Sequence, residues 1–506
     1  MAKICLCLTG KTIARNLEIL EKYRKYTDIA ELRVDYLEPN ERLFIRRFPE
    51  KAGIPIILTI RREIDGGQFE AGEGGRITLF SKALAFADAN PRRNFAYVDL
   101  EDYLQVPSLE EAARTFGTKI IRSYHNLEGV DDDLVKIIRS LSKVGDELVK
   151  VAVMPKSMDD VLRIFKASWD TMDIEKVIIG MGHFGMATRI LAEQMGSYLT
   201  YTSVKGEADY PFTQLGQLDP KELVERYRFR NITIKTRIFG IAGYPLKVTL
   251  SPKFFNAVFD FENLDAVYIP FPADNLEPFM QLADSLGLAG ASITVPHKET
   301  VLNFLAEKSP EVNLIGACNT IVYGQNGWIG YNVDAQGFSD SLLEFIDRKN
   351  LKGKKITIIG AGGAARAIVS EIDRLGGKAL ILNRTALRAR NLALPYRYQW
   401  GGLDSQGIKL MKKYSDIIIQ TTSAGMEGYT ENIDPLELYD FTGREVVMDI
   451  VYQPDRTVCL RRAEEVGCRV INGYDMLIRQ ASLQYSCFLD GEFPTHLLSR
   501  MSFPDL

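Results

Sequence analysis

The stretch KKITIIGAGGAARAIVSEIDRLGG, residues 354–377, runs from a β-branched apolar segment through a glycine turn into an amphipathic helix pattern. Within it, Gly360, Gly362 and Ala365 match the spacing G-x-G-x-x-G/A. That spacing lets the backbone turn tightly and approach a diphosphate at the helix N-terminus, as dinucleotide-binding folds do. A glycine motif alone is weak evidence, but here it stands between a strand pattern and a helix pattern. It predicts a Rossmann lobe.

The next strand pattern indicates which dinucleotide is bound. The run ALIL (379–382) ends in Asn383, Arg384 and Thr385. Enzymes that use NAD place an acidic residue here for the ribose hydroxyls, whereas an arginine suits the 2′-phosphate of NADP. We therefore expect NADP(H) as the cofactor, with a solvated loop arginine as the alternative interpretation.

Length and composition constrain the rest of the chain. Its 506 residues are too many for one core, and 46% hydrophobic with 25% charged residues is typical of a globular protein. A net charge of −4 gives no basic field for nucleic acid or an anionic membrane. The six cysteines are scattered without a CxxC pair, which indicates free thiols and argues against zinc sites and disulfides. We expect small-molecule partners and no metal.

The first residues and the hydropathy predict the compartment. Met1 leads directly into a strand-like run at residues 4–9, which leaves no room for a signal or transit peptide. No apolar run approaches the ~20 residues that span a bilayer. Together with free thiols, these features predict a cytoplasmic protein. Nothing in the sequence indicates its oligomeric state.

Eight short apolar runs, separated by amphipathic stretches, fill the first 203 residues. They lie at residues 4–9, 29–34, 54–60, 95–100, 119–124, 148–153, 176–181 and 198–203. Such alternation indicates right-handed βαβ units and a parallel sheet. Eight units in roughly 200 residues favour a (β/α)8 TIM barrel over a doubly wound open sheet. The expected active groups of a barrel lie in or just after these runs, namely Glu31, Arg33, Arg61, Glu101, His125, Lys150 and Arg189.

Lys150 interrupts the apolar run LVKVAVMP (148–155). Inside a barrel, burial disfavours the charged ammonium, and Arg61 and Arg189 on neighbouring strands would act in the same direction. A neutral lysine is an amine nucleophile suited to Schiff-base chemistry. The alternative is a lysine that extends its head out of the barrel end. His125 ends the preceding run, KIIRSYHN (119–126), where it could act as a general acid or base, or lie in a surface loop.

Five ordered motifs within residues 1–228 resemble the type I 3-dehydroquinate dehydratases. They are ELRVDYL (31–37), TIR…GG (59–67), SYHN (123–126), KVAVMP (150–155) and MGHFGMATR (181–189). The resemblance implies that Lys150 forms an imine with 3-dehydroquinate and that His125 moves protons, giving 3-dehydroshikimate. It implies substrate contacts from Glu31, Arg33, Arg61, Arg189, Thr213 and Gln217.

Three positions depart from that family pattern. Asp65, implied to orient His125, stands where glutamate is usual and is shorter by one C–C bond, about 1.5 Å. The closing loop reads TQLGQ (213–217) instead of Ser-Ala-Pro-Gly-Gln. Cys7 stands where serine is common. We expect a lid that still closes, and we expect the change at Cys7 to remove at most a weak polar interaction.

Lys298 in ASITVPHKE (291–299) and Asp334 in GYNVD (330–334) would each be unremarkable surface charges alone. Ahead of a dinucleotide fold, they resemble the pair found in the shikimate dehydrogenases. Six further motifs carry the resemblance, YPLKVTLSP (244–252), GACNT (316–320), NRT (383–385), TTSAGM (421–426), DIVYQP (449–454) and NGYDMLIRQA (472–481). It implies reduction of 3-dehydroshikimate to shikimate with NADPH, with Lys298 protonating the alkoxide beside Asp334.

The same resemblance implies two further sets of residues. The substrate would be bound by Thr249, Ser251, Ser292, Thr294, Asn319, Tyr452 and Gln480. The cofactor would be bound by Gly360, Ala361, Gly362, Gly363, Ala364, Asn383, Arg384, Thr385, Arg388, Ser423, Ile450 and Gly473. Five positions depart from the family: Val248, Thr249, Ser292, Val333 and Gln420 stand for histidine, serine, asparagine, threonine and asparagine.

The predicted fold class is α/β, a TIM barrel followed by a two-lobed dehydrogenase with an α/β substrate lobe and a Rossmann NADP lobe. We expect the barrel in residues 1–230, the substrate lobe in 237–336 completed by 475–506, and the NADP lobe in 337–474. The predicted function is two consecutive steps of the shikimate pathway. A quinate-handling enzyme and a catalytically inactive sensor are the alternatives; the presence of Lys150, His125, Lys298 and Asp334 together argues against the sensor.

Overall fold

Eight parallel strands form the first sheet of the computed structural model, which describes residues 1–85, 88, 90–143, 145–204, 215–246, 249–428 and 430–497. The strands are β1 (Lys3–Leu8), β2 (Ile29–Arg33), β3 (Ile56–Thr59), β4 (Tyr97–Glu101), β5 (Lys119–Asn126), β6 (Leu148–Val153), β7 (Lys176–Gly180) and β8 (Leu199–Thr202). Their order is β7-β6-β5-β4-β3-β2-β1-β8. A parallel bridge between Lys176 and Ser197 joins β7 to the residues before β8. The chain therefore forms a barrel and not an open sheet.

Within the described ranges, eight helices follow the barrel strands. They are α1 (Ile13–Tyr23), α2 (Phe48–Ala52), α3 (Gly72–Leu84), α4 (Pro107–Thr115), α5 (Leu134–Leu141), α6 (Met158–Trp169), α7 (Met186–Ile190) and α8 (Pro220–Glu225). Side chains cap the starts of α1, α5, α6 and α8. At α6, Ser157 accepts a hydrogen bond from the Asp160 N–H, and two acidic residues in the first turn interact favourably with the helix dipole.

Alternation along the strands separates two cores. Leu6 and Leu8 of β1 belong to the cluster beneath the helices, whereas Cys5 and Cys7 belong to the cluster inside the barrel. Leu148 and Ala152 of β6 also belong to the inner cluster. Since side chains alternate with a period of two, the residue between them on the same face, Lys150, faces the barrel interior.

The second sheet has six strands in the order β10-β9-β11-β13-β14-β12. They are β9 (Arg237–Gly243), β10 (Ala266–Pro272), β11 (Gly290–Ile293), β12 (Glu307–Lys308), β13 (Thr320–Gly324) and β14 (Gly327–Tyr331). The accompanying helices are α9 (Ser251–Phe261), α10 (Leu276–Leu286), α11 (Pro310–Ile315) and α12 (Asp334–Phe345). The pairing is mixed, because β11 is parallel to β9 but antiparallel to β13.

The third sheet is wholly parallel, in the order β17-β16-β15-β18-β19-β20. Its strands are β15 (Lys355–Ile359), β16 (Lys378–Asn383), β17 (Gln399–Gly402), β18 (Ile417–Gln420), β19 (Val446–Asp449) and β20 (Arg469–Ile471). The helices are α13 (Gly363–Arg374), α14 (Ala386–Ala393), α15 (Ser405–Met411), α16 (Val458–Glu465) and α17 (Tyr474–Leu489). Numbered within the sheet, this order is 3-2-1-4-5-6, which defines the Rossmann fold.

Compact packing divides the described chain into two units, one of Met1–Ile238 with Asn256–Gly287 and one of Phe239–Phe255 with the residues from Leu288 onward. In the first unit, α10 packs on α6, and the Met158 N–H donates to Oδ1 of Asp274 at 2.8 Å. In the second unit, α17 packs on α12, and its Phe488 ring lies 5.2 Å from the ring of Phe239. None of the helices in the described ranges combines the length and hydropathy that a membrane crossing needs.

Two candidate active sites

A cavity of about 250 Å³ opens within the barrel. Its walls come from strand interiors and from the segments that follow the strands, where barrel enzymes carry their chemistry. Eight of the ten predicted barrel residues line it, namely Glu31, Arg33, Arg61, Asp65, His125, Lys150, Arg189 and Gln217. Of the other two, Thr213 lies outside the described residues, and Glu101 does not line the cavity but pairs with Arg61 and Arg76.

Lys150 is buried among acidic and aromatic groups. Its Nζ lies 2.8 Å from Oδ2 of Asp99 and 3.8 Å from Oε1 of Glu31. The ring centroid of Tyr201 is 4.5 Å from the same nitrogen. The sequence predicts arginines as the charged neighbours that act on this amine, but its nearest charged groups are the two carboxylates. The ion pair with Asp99 therefore fixes where the amine lies in the cavity.

Asp99 connects Lys150 to the rest of the cluster. Its Oδ1 accepts a hydrogen bond from Ser123 at 2.6 Å and lies 2.9 Å from Nη2 of Arg61. Burial would raise the pKa of Asp99, but Arg61, Lys150 and His125 outweigh it and hold that pKa well below its usual range. Asp99 is absent from the sequence prediction. The available signal was the strand period of two, which puts it on the same face as the carboxylate two residues later in β4.

Two hydrogen bonds orient Glu31. Its Oε1 accepts from Thr59 at 2.8 Å and its Oε2 from Sγ of Cys7 at 3.4 Å. Burial raises the pKa of the Cys7 thiol well above its ordinary value, so the thiol stays protonated and can donate. A cysteine at this position thus still supports a carboxylate in the cavity.

The three predicted arginines of the barrel differ in their surroundings, and Arg33 is paired with Asp35. Arg61 is paired with Asp99 and Glu101. Arg189 donates to the carbonyl of Leu215 at 2.8 Å, and within the described ranges no carboxylate lies at ion-pair distance from it. Burial lowers the pKa of Arg189 to about 10, which leaves it charged at neutral pH. A buried guanidinium of this kind fits a substrate carboxylate.

His125 lies at the end of β5 and is half-buried. Burial lowers its pKa well below the ordinary value, and the positive charges of Arg61 and Lys150 act in the same direction. The imidazole is therefore neutral at pH 7 and able to accept a proton. Its Nδ1 has no hydrogen-bond partner among the residues that the structure describes.

Asp65 borders the same cavity, but its hydrogen bonds are with residues other than His125. Its Oδ2 accepts from Nε of Arg62 at 2.8 Å and from the Tyr103 hydroxyl at 2.5 Å. Burial would raise the pKa of Asp65, but these two hydrogen bonds bring it below its ordinary value. The structure thus places Asp65 near His125 without a hydrogen bond between them.

In the second unit, Lys298 and Asp334 form an ion pair. Nζ of Lys298 lies 2.5 Å from Oδ2 of Asp334, and the two side chains are 14% and 2% exposed. Oδ1 of Asp334 accepts a hydrogen bond from Nδ2 of Asn319 at 2.8 Å. Asp334 is the first residue of α12, where the helix dipole favours a carboxylate. The carboxylate is therefore held from both sides. Asn319, expected to bind a ring hydroxyl, also orients Asp334.

Ser292 leads to a residue that the sequence prediction omits. Its hydroxyl donates to Oε1 of Gln484 at 2.9 Å, and Nε2 of Gln484 donates to Oγ1 of Thr320 at 3.0 Å. Gln484 is buried and lies four residues after Gln480 on α17, hence on the same helix face. The four-residue spacing from Gln480 is the sequence signal that could have identified Gln484. Because Nε2 of Gln484 also donates to the Asn319 carbonyl, Ser292 of β11, Asn319 just before β13 and Gln484 of α17 form one polar network.

The other predicted substrate residues also lie in the second unit. Thr294 follows β11, and its methyl group packs close to Gly243 of β9. Oγ1 of Thr249 accepts a hydrogen bond from the Ser251 N–H at 3.3 Å, at the start of α9. Tyr452 follows β19, and Gln480 packs on Gly337 of α12. Val248, one of the departures from the family, lies outside the described residues.

A cavity of about 440 Å³ adjoins Lys298. It is lined by Lys298, by the predicted cofactor residues Ala361, Gly362, Gly363 and Arg388, and by Glu299, Arg366 and Asn391. Three cations and one carboxylate make it a site for an anion. Nε of Arg366 has no hydrogen-bond partner in the described part of the chain. These residues, with the start of α13, fit NADP(H). The prediction omits Arg366, although it lies one helical turn after Gly363.

The remaining predicted cofactor residues follow the carboxyl ends of the Rossmann strands. Gly360 has φ +116°, and a Cβ there would overlap Oγ1 of Thr421. Arg384 is exposed after β16, beside Asn383, whose side chain donates to the Thr385 carbonyl at 3.1 Å. Ala364 lies in the first turn of α13, Ser423 follows β18, and Gly473 packs against the Ile450 carbonyl. Among the described residues, no cluster of histidine, cysteine, aspartate and glutamate is arranged for a metal ion.

Three family models match consecutive parts of the chain. Residues 4–234 match the type I 3-dehydroquinase model, and residues 241–321 match the shikimate dehydrogenase substrate binding domain. Residues 343–432 match the model described as shikimate/quinate 5-dehydrogenase.

The fold and the two sites define an enzyme with two catalytic centres, a barrel built around a buried lysine and an NADP-dependent dehydrogenase. Over 505 residues the chain is 30% identical to the chloroplastic bifunctional 3-dehydroquinate dehydratase/shikimate dehydrogenase of Arabidopsis thaliana, a match that covers 95% of this chain and 81% of that protein. The chain belongs to the family of bifunctional 3-dehydroquinate dehydratase/shikimate dehydrogenases.

Two further proteins are similar to the second half of the chain alone. The NADP(+) shikimate dehydrogenase of Caldanaerobacter subterraneus is 38% identical over 266 residues, which cover 51% of this chain and 93% of that protein. A shikimate dehydrogenase crystallised with NADP+ is 33% identical, with a TM-score of 0.47, and the match covers 52% of this chain and 92% of that one.

The predicted fold class, the pair of shikimate-pathway activities and the NADP cofactor are confirmed. The Arabidopsis relative is named as chloroplastic, so the cytoplasmic location stays a prediction.

Proposed function

We propose that Lys150 is the Schiff-base lysine of the dehydratase. Lys150 passes a proton of its ammonium group to the neutral His125, and the freed amine attacks the ketone of 3-dehydroquinate. The imidazolium returns that proton to the hydroxyl of the carbinolamine, which leaves as water and gives an iminium ion. The iminium withdraws electrons from the neighbouring carbon, so the C–H there becomes acidic. The position of Nζ, buried in the cavity beside His125 and Asp99, is the observation that carries this proposal.

His125 is the base that removes this proton. Its lowered pKa supports the role, since a neutral imidazole accepts a proton at pH 7. The electron pair left by the proton expels the neighbouring hydroxyl, to which the imidazolium returns the proton, so that water leaves. Hydrolysis of the imine then releases 3-dehydroshikimate and restores the amine.

The remaining barrel residues hold the substrate. Arg189, which lacks a carboxylate partner in the described ranges, binds the substrate carboxylate. Glu31, Arg33, Arg61, Thr213 and Gln217 bind its hydroxyls or complete the carboxylate site. We assign Asp65 a role at the cavity mouth together with Arg62 and Tyr103, which occupy its carboxylate.

In the dehydrogenase, Lys298 donates the proton that completes reduction of 3-dehydroshikimate to shikimate. NADPH supplies the hydride when it is bound. Lys298 delivers a proton to the oxygen that becomes a hydroxyl, while Asp334 and Asn319 keep its Nζ in place.

The other implied residues complete this site. Thr249, Ser251, Ser292, Thr294, Asn319, Tyr452 and Gln480 bind the carboxylate and ring hydroxyls of the substrate. The start of α13 would hold the diphosphate of NADPH, and Arg384 and Arg388 would hold its 2′-phosphate. Ser423, Ile450 and Gly473 would complete the cofactor site.

We also propose the domain limits and the location stated from the sequence. A barrel of residues 1–230, a substrate lobe of 237–336 completed by 475–506, and an NADP lobe of 337–474 follow the three sheets. The packing of Phe488 of α17 on Phe239 and Phe255 supports the split substrate lobe. The six cysteines are free, which supports a reducing compartment such as the cytoplasm.

The coupled reaction tests the proposal. Purified protein is incubated with 3-dehydroquinate and NADPH, and products are followed by chromatography. We expect shikimate, formed with one NADPH oxidised per molecule. Accumulation of 3-dehydroshikimate without NADPH oxidation would contradict the second activity. A parallel incubation with quinate and NADP+ tests the quinate alternative, for which we expect a much lower kcat/KM than with shikimate.

A further inference from the structure

The stem of Lys298 packs directly on the backbone of Gly363. A Cβ built on Gly363 would lie 2.9 Å from Cβ of Lys298 and 3.0 Å from its Cδ. Carbon atoms in contact normally lie about 3.5–4.0 Å apart. Lys298 therefore occupies space that exists only because residue 363 carries no side chain.

Backbone conformation does not explain this glycine. Gly363 is the first residue of α13 and is not among the glycines with positive φ. Gly360, in contrast, has φ +116° and sits against Thr421, so its requirement is conformational as well as steric. A Cβ on Gly362 would meet no protein atom within 4 Å. The glycines of the loop thus have different tasks.

A second contact joins the same helical turn to the segment of the lysine. Nη2 of Arg366, one turn after Gly363 on α13, lies 3.1 Å from Oε2 of Glu299. Glu299 is the residue after Lys298. Both residues of the 298–299 segment are therefore held by the first turn of α13, the turn that faces the cavity for the anionic cofactor.

We propose that Gly363 is a positioning residue of the dehydrogenase: it provides the space for the stem of Lys298, so that the cofactor-binding turn of α13 also places the proton donor. This inference rests on the proposed role of Lys298. It gives Gly363 a function that its place in the glycine motif does not require, because the contact is with a side chain 65 residues earlier in the chain.

The test is Gly363→Ala in the full-length protein. Alanine suits the start of a helix, so the Rossmann lobe should fold. The added methyl group must displace the stem by up to about 1 Å, and a shift of that size costs roughly 10²-fold in rate. We expect kcat for 3-dehydroshikimate reduction to fall about 10- to 100-fold even at saturating NADPH. The Kd for NADPH is measured separately by its fluorescence, so that a loss of cofactor binding is distinguished from a loss of kcat.

Gly362→Ala is the comparison variant. Gly362 lines the cofactor cavity, and a Cβ there would touch no neighbouring side chain. We therefore expect Gly362→Ala to have a higher Kd for NADPH but to retain most of its kcat at saturating NADPH. If Gly363→Ala gave this same pattern, Gly363 would act through the cofactor and the proposal would be wrong.

A double-mutant cycle isolates the dependence on Lys298. Single-turnover reduction is measured for Gly363→Ala, Lys298→Ala and the double variant. We expect Gly363→Ala to have no further effect once Lys298 is replaced. An equal loss in both backgrounds would overturn the proposal. A Lys298→Ala variant that reduced at the wild-type rate would refute the role of Lys298 itself, which is a separate outcome.

Discussion

Replacing Asp99 with asparagine tests how the barrel holds its buried amine. The two side chains have nearly the same shape, but the amide carries no charge. Asp99 lies 2.8 Å from Nζ of Lys150 and 2.9 Å from Nη2 of Arg61, and all three side chains are less than 7% exposed. Asp99→Asn therefore removes the shared partner of two buried cations.

The size of the effect follows from this geometry. Removing one partner of a buried ion pair costs about 3–5 kcal/mol, because the remaining charge is left uncompensated. Arg61 keeps Glu101, and Lys150 keeps Glu31 at 3.8 Å, so the lower end of that range applies. For a domain of this size, about 3 kcal/mol corresponds to a fall in Tm of roughly 6–12 °C. Displacement of the amine by about 1 Å would cost a further ~10²-fold in kcat for dehydration.

Two measurements on the same preparation check this prediction. The rate of 3-dehydroquinate dehydration, and the loss of this activity on heating, measure the function and the stability of the barrel. The rate of reduction of supplied 3-dehydroshikimate measures the dehydrogenase and should not change. Asp173→Asn is the matched control, because Asp173 forms an exposed ion pair with Arg139 in the same barrel. If Asp99→Asn behaved like Asp173→Asn in both Tm and kcat, the acidic cluster would not be what holds Lys150.

Four further substitutions each test the role of one residue. Lys150→Ala should abolish dehydration and leave reduction intact. In the wild type, borohydride added with 3-dehydroquinate should reduce the imine and leave the mass of the substrate on the peptide that contains Lys150. That mass on another lysine would contradict the assignment. Lys298→Ala should do the reverse, releasing 3-dehydroshikimate as product. Arg384→Asp should weaken NADPH binding about 10- to 150-fold, the value of a charge-assisted hydrogen bond, with little change for NADH; equal losses would contradict the 2′-phosphate contact. Burial raises the pKa of Asp449 to about 7, above its ordinary value of 3.8. The folded protein therefore binds this proton more tightly than the unfolded chain, and the stability that the proton adds is lost as pH rises through 7. Asp449→Asn should therefore raise Tm by an amount that grows from pH 5 to 7. If plots of Tm against pH for the wild type and the variant ran parallel, this expectation would be refuted.

The barrel could be predicted because each of its strands is buried on both faces and is therefore an almost continuous apolar run. In such a run Lys150 is an exception, and so its role could be inferred from one strand. The Rossmann lobe was predictable for a similar reason, since Gly360 to Ala365 carry strand, turn and helix signals together. These elements are local in sequence.

What the sequence did not predict depends on contacts between distant elements. Asp99 meets Lys150 across 51 residues, and Gln484 meets Ser292 across 192, so neither partner can be found within one motif. Asp65 illustrates another limit, because its position was predicted but the direction of its carboxylate depends on Arg62 and Tyr103. The charged surroundings of Lys150 were misjudged because two carboxylates from β2 and β4, and not the arginines, lie nearest in the closed barrel.

The return of α17 to the second sheet affects the order in which the two enzymes can fold during synthesis. The barrel strands and their helices all lie before residue 226, so the barrel can close while the rest of the chain is still being made. The second sheet cannot, because Phe488 packs on Phe239 and Phe255 and is added about 250 residues later. At about 5–20 residues per second, that interval lasts roughly 13–50 s. During this time the apolar faces of β9 and α9 lack their last partner. A ribosome that stops before α17 would thus leave a working dehydratase attached to an unfinished dehydrogenase.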